Sequence, residues 1–285
     1  MTRARAKVPP VSRRSLLWIV IVVLAIGAAI TGYLYLGEFG TPPSSSPSGE
    51  DLSEELTQIR EALLSSPYEV DVNLSIDIPK GSESDNPDHQ EIDAEGAVDL
   101  GSGEGDLTYD FNDLANAGGF LGHFDEMQVL FSDDSAYLDV FLDGPAWVRT
   151  PPEAVEEDQI ARLRDVLLTS PITLASYFDV DGTAQETSDG ITATVPPGSL
   201  AALTDPVPAA IGTFLEERGV EAIELEVTTG AEGPEVIAVA FAYQPVEGSK
   251  ELIEVVATYE LTPGSTAEFG VPSEDDVREF SEIFG

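Results

Sequence analysis

YEVDVNLSIDI, residues 68–78, alternates apolar and polar side chains over its whole length. Successive side chains of a β-strand point to opposite faces, so this period of two predicts a long strand with one buried and one solvated face. Burial on one face alone is typical of antiparallel sheets. We therefore expect a fold that is organised around an antiparallel sheet with one wet face.

The segments that flank this strand fit the same sheet. Before it, apolar residues at helical spacing predict a helix over residues 51–66, and Pro67 ends that helix. After it, further alternating stretches predict strands at residues 92–100, 107–111, 127–131, 137–142 and 147–148. These segments are therefore predicted to form a meander.

The second half mixes the two periods. Helices are predicted over residues 152–169, from Ser170-Pro171 onward with Ser170 as a cap, and from Asp205-Pro206 to Gly219. Strands are predicted at residues 184–187, 191–195, 222–228, 236–243 and 252–261. The tail, residues 273–284, has a helical pattern in which Ser273 and Asp276 resemble a capping box.

The order of these elements indicates the fold class. About eleven strands are predicted, and the helices are inserted into the run of strands instead of alternating with them. That order favours an antiparallel α+β domain over a parallel βαβ fold.

A different kind of segment precedes the domain. Residues 16–36 form an apolar run without a charge, long enough as a helix (about 31 Å) to span a bilayer. Basic residues before it predict a cytoplasmic N-terminus and an extracytoplasmic remainder. A cleaved secretory signal is the alternative, although this run is longer than the apolar core of a typical signal.

The chain thus divides into four predicted parts: a basic cytoplasmic segment (1–15), a transmembrane anchor (16–36), a Pro/Ser/Gly linker (37–50) and an extracytoplasmic domain (51–285). The protein is expected in the cell membrane as a single-pass protein.

Charge excludes some partners. The part after the anchor carries all 53 acidic residues and eight of the 13 Lys and Arg residues, a formal charge near −45. Such a field repels nucleic acids, so no nucleic-acid partner is expected. Self-repulsion at this charge density also suggests a saline habitat as a hypothesis.

The chain has no cysteine, so disulfides and thiol chemistry are impossible.

Few residues suggest catalysis. The two histidines, His89 and His123, lie in predicted loops without the spacing of a metal site, and no GxSxG, P-loop or GxGxxG motif occurs. The segment 179–182, DVDG, lacks the full calcium-loop pattern. We predict no catalytic residue, cofactor or metal, and hence no enzyme; a hydrolase would need a clustered acid pair that nothing singles out.

Several features resemble the actinobacterial LppX/LprAFG lipoprotein family. They are the amphipathic helix before the strand 68–78, Tyr137-Leu138 leading to Gly144-Pro145-Ala146-Trp147, the Ser170-Pro171 insert, and the ending from Tyr259 to Phe269-Gly270-Val271-Pro272. The resemblance covers residues 51–285 and implies a LolA-like antiparallel half-barrel with helices on its concave face. It also implies an apolar cavity that accommodates the acyl chains of a lipid or glycolipid. This chain lacks the lipidated cysteine of that family and has a predicted protein anchor instead.

The apolar faces supply the candidate ligand-binding residues. The sheet side of a cavity would be lined by Val72, Leu74, Tyr109, Phe111, Phe131, Phe241, Val255 and Tyr259. The helix side would be lined by Leu163, Leu167, Leu174, Phe178, Phe214 and Leu215. In the apolar loop 112–125, Phe120, Leu121 and Phe124 are candidate portal residues, because exposed apolar loops can mark a binding surface.

The sequence thus predicts a membrane-anchored, non-enzymatic binding protein for a lipid or another apolar ligand. The same residues could instead form a filled core. In that case we expect a cell-envelope interaction or sensor domain that binds another protein through its acidic face.

Overall fold

The computed structural model describes residues 52–78, 89–111, 126–132, 135–139, 147–152, 154, 161–188, 190–230, 233–245 and 249–284. All of them belong to one compact unit, Gly49–Gly285. Within this part of the chain, no helix combines the length and the apolar character that a membrane span requires. The predicted anchor 16–36 and the candidate portal residues of loop 112–125 lie outside the described residues.

The described strands form a single sheet of twelve. They are β1 (Tyr68–Asp77), β2 (His89–Asp99), β3 (Glu104–Asp110), β4 (Glu126–Ser132), β5 (Ser135–Asp139), β6 (Trp147–Thr150), β7 (Thr183–Glu186), β8 (Gly190–Val195), β9 (Ile223–Thr229), β10 (Pro234–Tyr243), β11 (Ile253–Pro263) and β12 (Val277–Glu279). Their order is β12-β6-β5-β4-β3-β2-β1-β11-β10-β9-β8-β7. The predicted antiparallel α+β class is therefore confirmed as one large, mostly antiparallel open sheet.

Two meanders lie side by side in this sheet. One contains β1 to β6 and the other β7 to β11, and each strand in a meander pairs antiparallel with the next. Strands β1 and β11 join the meanders, with Val72 opposite Tyr259. The strand with the clearest sequence pattern thus lies in the middle of the sheet.

The two faces of the sheet differ as the alternation predicts. In β1, the five residues Tyr68, Val70, Val72, Leu74 and Ile76 are buried, and they belong to one hydrophobic core with the inward residues of the neighbouring strands. The opposite face is acidic: Asp71 lies opposite Glu260 on β11 and Glu95 on β2. Burial on one face is what allows a chain with this many carboxylates to form a core.

The described helices are α1 (Ser53–Leu63), α2 (Ala161–Leu168), a 3₁₀ helix (Pro171–Phe178), α3 (Pro197–Ala201), α4 (Pro206–Glu217) and α5 (Phe280–Phe284). Their buried side chains share the core with the buried face of the sheet. A direct link is the Tyr259 hydroxyl of β11, which donates to the carbonyl oxygen of Thr169, just after α2, at 2.6 Å. The helices therefore pack on the apolar face.

Helix α4 begins and ends as its sequence predicts. The Asp205 side chain accepts a hydrogen bond from the backbone N–H of Val207, and Pro206 occupies the first turn. After the helix, Gly219 has a φ of 75°, the left-handed region that glycine enters without steric cost.

Two helical predictions need correction. The segment after Ser170 is a 3₁₀ helix, and Ser170 makes no side-chain cap, although its carbonyl oxygen accepts from the Thr173 N–H. The tail is not one helix over residues 273–284: a 3₁₀ turn (Glu274–Asp276) leads into strand β12, and only Phe280–Phe284 is α-helical. The tail changes conformation because residues 277–279 pair in parallel with β6, a contact distant in sequence.

Candidate functional site

The predicted ligand-binding residues converge on the core between the sheet and the helices. Thirteen of them are buried there: Val72, Leu74, Tyr109, Phe111, Phe131, Leu167, Leu174, Phe178, Phe214, Leu215, Phe241, Val255 and Tyr259. Leu163 lies in α2, and its side chain is outside the described part of the structure. Most of these residues pack against one another, so their burial alone does not distinguish a binding site from a core.

A small apolar cavity lies between β4–β6 and the helices, partly open to solvent and with the exposed Pro151 in its lining. Its volume is about 30 Å³, space for one or two water molecules. It is lined by Phe131, Ser135, Ala136, Thr150, Pro151, Pro152, Leu167, Ser170, Ile172, Val207 and Ile211. Of the predicted ligand-binding residues with a described side chain, Phe131 and Leu167 line it.

One residue that lines the cavity, Ser170, has an unpartnered hydroxyl. Ser170 is only 2% exposed, and its Oγ atom makes no hydrogen bond. A buried hydroxyl without a partner costs about 1–3 kcal/mol, so such groups are uncommon in folded proteins. The Ser170 hydroxyl is therefore an unsatisfied donor within the packing beside the cavity, since its Oγ atom has almost no accessible surface.

A larger surface cleft lies next to the cavity. The cleft has a volume of about 270 Å³ and lies where α1, the β2–β3 turn, the 3₁₀ helix and the start of α4 meet. Ile172 and Val207 line both the cleft and the cavity. These two half-buried side chains belong to the wall that the cleft and the cavity share.

Charged groups span the mouth of the cleft. Arg60 on α1 pairs through Nη2 with Asp179 Oδ2, at the end of the 3₁₀ helix, at 3.2 Å. Both side chains are substantially exposed, so this ion pair contributes about 1 kcal/mol or less. The Arg60–Asp179 pair can therefore open at low cost.

A polar cluster fastens α2 to the sheet elsewhere in the interior. The Tyr243 hydroxyl of β10 donates to Asp165 Oδ1 at 2.9 Å. Burial raises the pKa of Asp165 to about 7, while the hydrogen bond from Tyr243 and the neighbouring Arg164 guanidinium oppose that rise. Arg164 also lies over the Phe214 ring, with Cζ 5.0 Å from the ring centroid. This cluster joins a helix to the sheet and does not line the cavity.

Buried tyrosines add further polarity to the interior. Burial raises the pKa values of Tyr109 and Tyr259, and raises the pKa of Tyr177 to about 12. The Tyr109 hydroxyl has no partner although the residue is 1% exposed. These side chains stay neutral at physiological pH, so they can serve as hydrogen-bonding groups and not as nucleophiles.

The described residues offer little for metal chemistry. Among them, no group of three or more His, Asp or Glu side chains is arranged to hold a metal ion. His89, which is the first residue of β2 and not a loop residue, is exposed, with Nδ1 2.9 Å from Asp77 Oδ1. The Asp77 carboxylate, its hydrogen-bond partner, raises the pKa of His89.

Sequence reasoning missed three residues that line the cleft. Arg60, Ile172 and Val207 belong to three separate helices, and nothing in the local pattern of any one of them indicates a gap. The dipeptide Ser170-Pro171 is the nearest signal, since it marks the start of the 3₁₀ helix that borders both the cleft and the cavity.

Comparison with known proteins adds no assignment: no family model matches the chain, and no curated protein matches it significantly. The resemblance to the LppX/LprAFG family therefore stays a prediction.

Proposed function

We propose that this protein is a membrane-anchored, extracytoplasmic binding protein for a lipid or another apolar ligand, and that it acts without chemistry. The predicted anchor 16–36 would hold the domain at the membrane surface. The observation that carries the proposal is the apolar cavity that meets a surface cleft at Ile172 and Val207.

The position of the cavity supports this function. It lies between the apolar face of the sheet and the helices, as expected if the sheet is a LolA-like half-barrel with helices on its concave face. Pockets between packed elements, apolar with a few convergent polar groups, are the usual form of small-molecule sites.

Ligand binding would require the cavity to widen. A cavity of about 30 Å³ is far below the roughly 300–1,000 Å³ of small-molecule sites. The side chains of Ile172 and Val207 would therefore have to move apart, which is easier for half-buried residues than for core residues. In this account, the structure is the closed state of the site.

The test is native mass spectrometry of the full chain, extracted from membranes of the native host and compared before and after organic extraction. We expect a lipid in near-stoichiometric amount. Since an anchor also retains lipid, two matched variants are needed. Ala136→Leu fills the cavity and should remove the lipid, whereas Ala238→Leu makes the same change on the outer face of β10 and should not.

A bare mass for the wild-type chain, with no uptake of added lipid, would refute the proposal. So would an equal lipid load in the wild type and a folded Ala136→Leu variant, since the retained lipid would then belong to the anchor.

A second candidate function is an interaction domain for another protein of the cell envelope. The observation that favours it is a shallow depression of about 490 Å³ on the outer face, lined by six carboxylates: Asp71, Asp93, Glu95, Asp110, Glu126 and Glu260. A basic partner would fit such a surface. Crosslinking in native membranes would support this function if it yields one protein partner whose capture falls as salt rises.

A further inference from the structure

The 3₁₀ helix Pro171–Phe178 lies between the surface cleft and the apolar face of the sheet. Because a 3₁₀ helix has three residues per turn, side chains three positions apart share a face. Thr173 and Ser176 share one face and line the cleft. Leu174 and Tyr177 share another and are buried in the core. One side of this helix therefore borders the cleft, and another side covers the sheet.

This helix covers a row of inward residues in the middle of the sheet. The row consists of the register partners Tyr259 of β11, Val72 of β1, Ala94 of β2 and Tyr109 of β3. We call it the central row. Its two middle side chains are shorter than the two tyrosines, which leaves a trough between the rings. Burial, followed by the nearby hydroxyls of Tyr177 and Tyr109, raises the pKa of Tyr259. Tyr177 thus brings the 3₁₀ helix onto the central row.

The conformation of this cover is uncommon. Runs of 3₁₀ helix longer than about three or four residues are rare, because their hydrogen-bond geometry is poorer than that of an α-helix. This helix has eight residues and no side-chain cap at Ser170. At its other end, the partly exposed Arg60–Asp179 ion pair links it to α1. Both the helix type and the contacts at its ends favour a segment that can change its position.

The closed packing around this helix leaves two hydroxyl groups without partners. They are Tyr109 Oη on the central row and Ser170 Oγ at the start of the helix. Both residues are almost fully buried. If the helix moved away, water or a ligand could bond to these groups, so opening would gain hydrogen bonds that the closed state lacks. This gain would offset part of the cost of uncovering apolar side chains.

The cleft provides room for such a movement. It has a volume of about 270 Å³ and lies along the helix. Ser170 and Ile172 also line the small cavity on the other side. A shift of the helix into the cleft would move Ile172 away from Val207, widen the cavity and uncover the central row in a single step.

We propose that the 3₁₀ helix 171–178 is a displaceable plug, which covers the central row in the closed state and moves into the cleft when an acyl chain binds along that row. This inference rests on the proposed function and adds how its site opens. The acyl chain replaces the contacts that Leu174 and Tyr177 make with the sheet. Opening is therefore coupled to binding, and the empty site stays closed to water.

Hydrogen exchange of the wild-type full chain in lipid nanodiscs tests the plug without any variant. The probe is a monoacylglycerol whose dodecanoyl chain ends in a diazirine. Bound ligands usually protect the segments that they contact, but a displaced plug loses its own protection. On addition of the probe, we expect exchange of residues 171–178 to rise about threefold or more, while exchange of β1 to β3 falls.

Photolabelling with the same probe measures binding, and peptide mass spectrometry separates label on the central row from label in the anchor or the bilayer. Because the chain has no cysteine, a crosslink can be placed at one site only. A short bismaleimide across Arg60→Cys/Asp179→Cys ties the plug to α1. It should raise the half-saturating probe concentration about tenfold, because it lowers the population of the open state.

The matched control is the same crosslink across Asn73→Cys/Asp93→Cys, a hydrogen-bonded pair on the outer face of the sheet. It should leave the half-saturating concentration unchanged. Each crosslinked variant is compared with its own form before crosslinking, so effects of the substitutions themselves cancel.

The outcomes distinguish this inference from the proposed function. If the probe does not label the central row of the wild-type chain, the proposed function fails and the plug fails with it. If the probe labels the row saturably but exchange of residues 171–178 stays the same or falls, the site binds acyl chains and the plug is wrong. Equal labelling with and without the Arg60→Cys/Asp179→Cys crosslink would also overturn the plug alone.

Discussion

At the scale of single residues, Asp165 is the least expected feature of the core. A carboxyl group that is 5% exposed lies among apolar side chains, held by the Tyr243 hydroxyl and near the Arg164 guanidinium. Burial disfavours the charged form, so the pKa of Asp165 rises to about 7. A buried group of this kind makes the stability of the fold depend on pH.

The sign of that dependence follows from the two pKa values. An aspartate in the unfolded chain titrates near pH 4, so between about pH 4 and pH 7 the folded state binds the Asp165 proton more tightly than the unfolded state does. The contribution of Asp165 to stability is therefore complete below pH 4, falls as pH rises to about 7, and is constant above that.

Replacing Asp165 with asparagine should remove this pH dependence. The asparagine side chain can still accept from the Tyr243 hydroxyl, but it cannot ionise. We expect the free energy of unfolding of Asp165→Asn, relative to wild type, to increase between pH 4 and pH 8 by up to about 4 kcal/mol. Urea unfolding at both pH values measures this difference. The exposed Asp181→Asn variant is the control, and a parallel pH response in both variants would contradict the prediction.

At the scale of elements, one arginine links the C-terminal tail to the sheet. Arg149 on β6 donates through Nη2 to Glu274 at 2.7 Å and through Nη1 to Glu279 at 3.0 Å. Its Nε also donates to the Tyr137 hydroxyl at 3.3 Å. The tail is thus attached by these side chains together with the three-residue pairing of β12 with β6 and the buried Phe280.

Loss of this arginine should therefore loosen the tail without unfolding the sheet. Exposed ion pairs contribute about 0.2–1 kcal/mol each, so Arg149→Gln should accelerate hydrogen exchange of residues 277–284 by about threefold to thirtyfold. Hydrogen exchange read by mass spectrometry measures this change. Arg278→Gln, on β12 itself, serves as the control. Faster exchange throughout β1 to β5 would show instead that Arg149 supports the whole sheet.

The same tail shows where sequence reasoning fails. Strand β1 is predictable because its ten residues alternate between apolar and polar side chains, which is a local signal. Residues 277–279 carry no such signal, because three residues are too few for a period and their partner β6 is distant in sequence. Local capping rules favour a helix that begins at Ser273, and the non-local pairing overrides that preference.

The candidate site is predictable only in part, for a related reason. Periodicity identifies the apolar faces, so Phe131 and Leu167 are among the predicted residues. It cannot show where packing leaves space. The cleft depends on how Arg60, Ile172 and Val207 meet, and the spacing within each helix carries no information about that meeting.

At the scale of the whole molecule, acidic side chains lie opposite one another on neighbouring strands of the outer face. Asp71 lies between Glu260 and Glu95 on the neighbouring strands, and Asp110 lies opposite Asp93 on β2 and Glu126 on β4. Like charges directly opposite each other on a sheet are destabilising. Salt should relieve this repulsion because the Debye length falls to about 3 Å at 1 M.

We therefore expect the melting temperature to rise by roughly 5 °C between low salt and 1 M sodium chloride, since four such contacts at a few tenths of a kcal/mol each are relieved. Calorimetry of the full chain measures this shift. The double variant Asp71→Asn/Asp110→Asn should be more stable at low salt and should gain less from salt. A melting temperature that is independent of salt would count against both the repulsion and the hypothesis of a saline habitat.

The pairing of β1 with β11 also has a consequence for the synthesis of the protein. About 190 residues separate the register partners Val72 and Tyr259, so β1 and β11 cannot pair until long after β1 has been synthesised. Until residue 263 has emerged, one long edge of β1 lacks its neighbour, and open strand edges pair readily with other chains. A fold of such long-range topology forms slowly. The nascent domain thus depends on delayed folding, and its dense negative charge would help to keep unfinished chains apart during that interval.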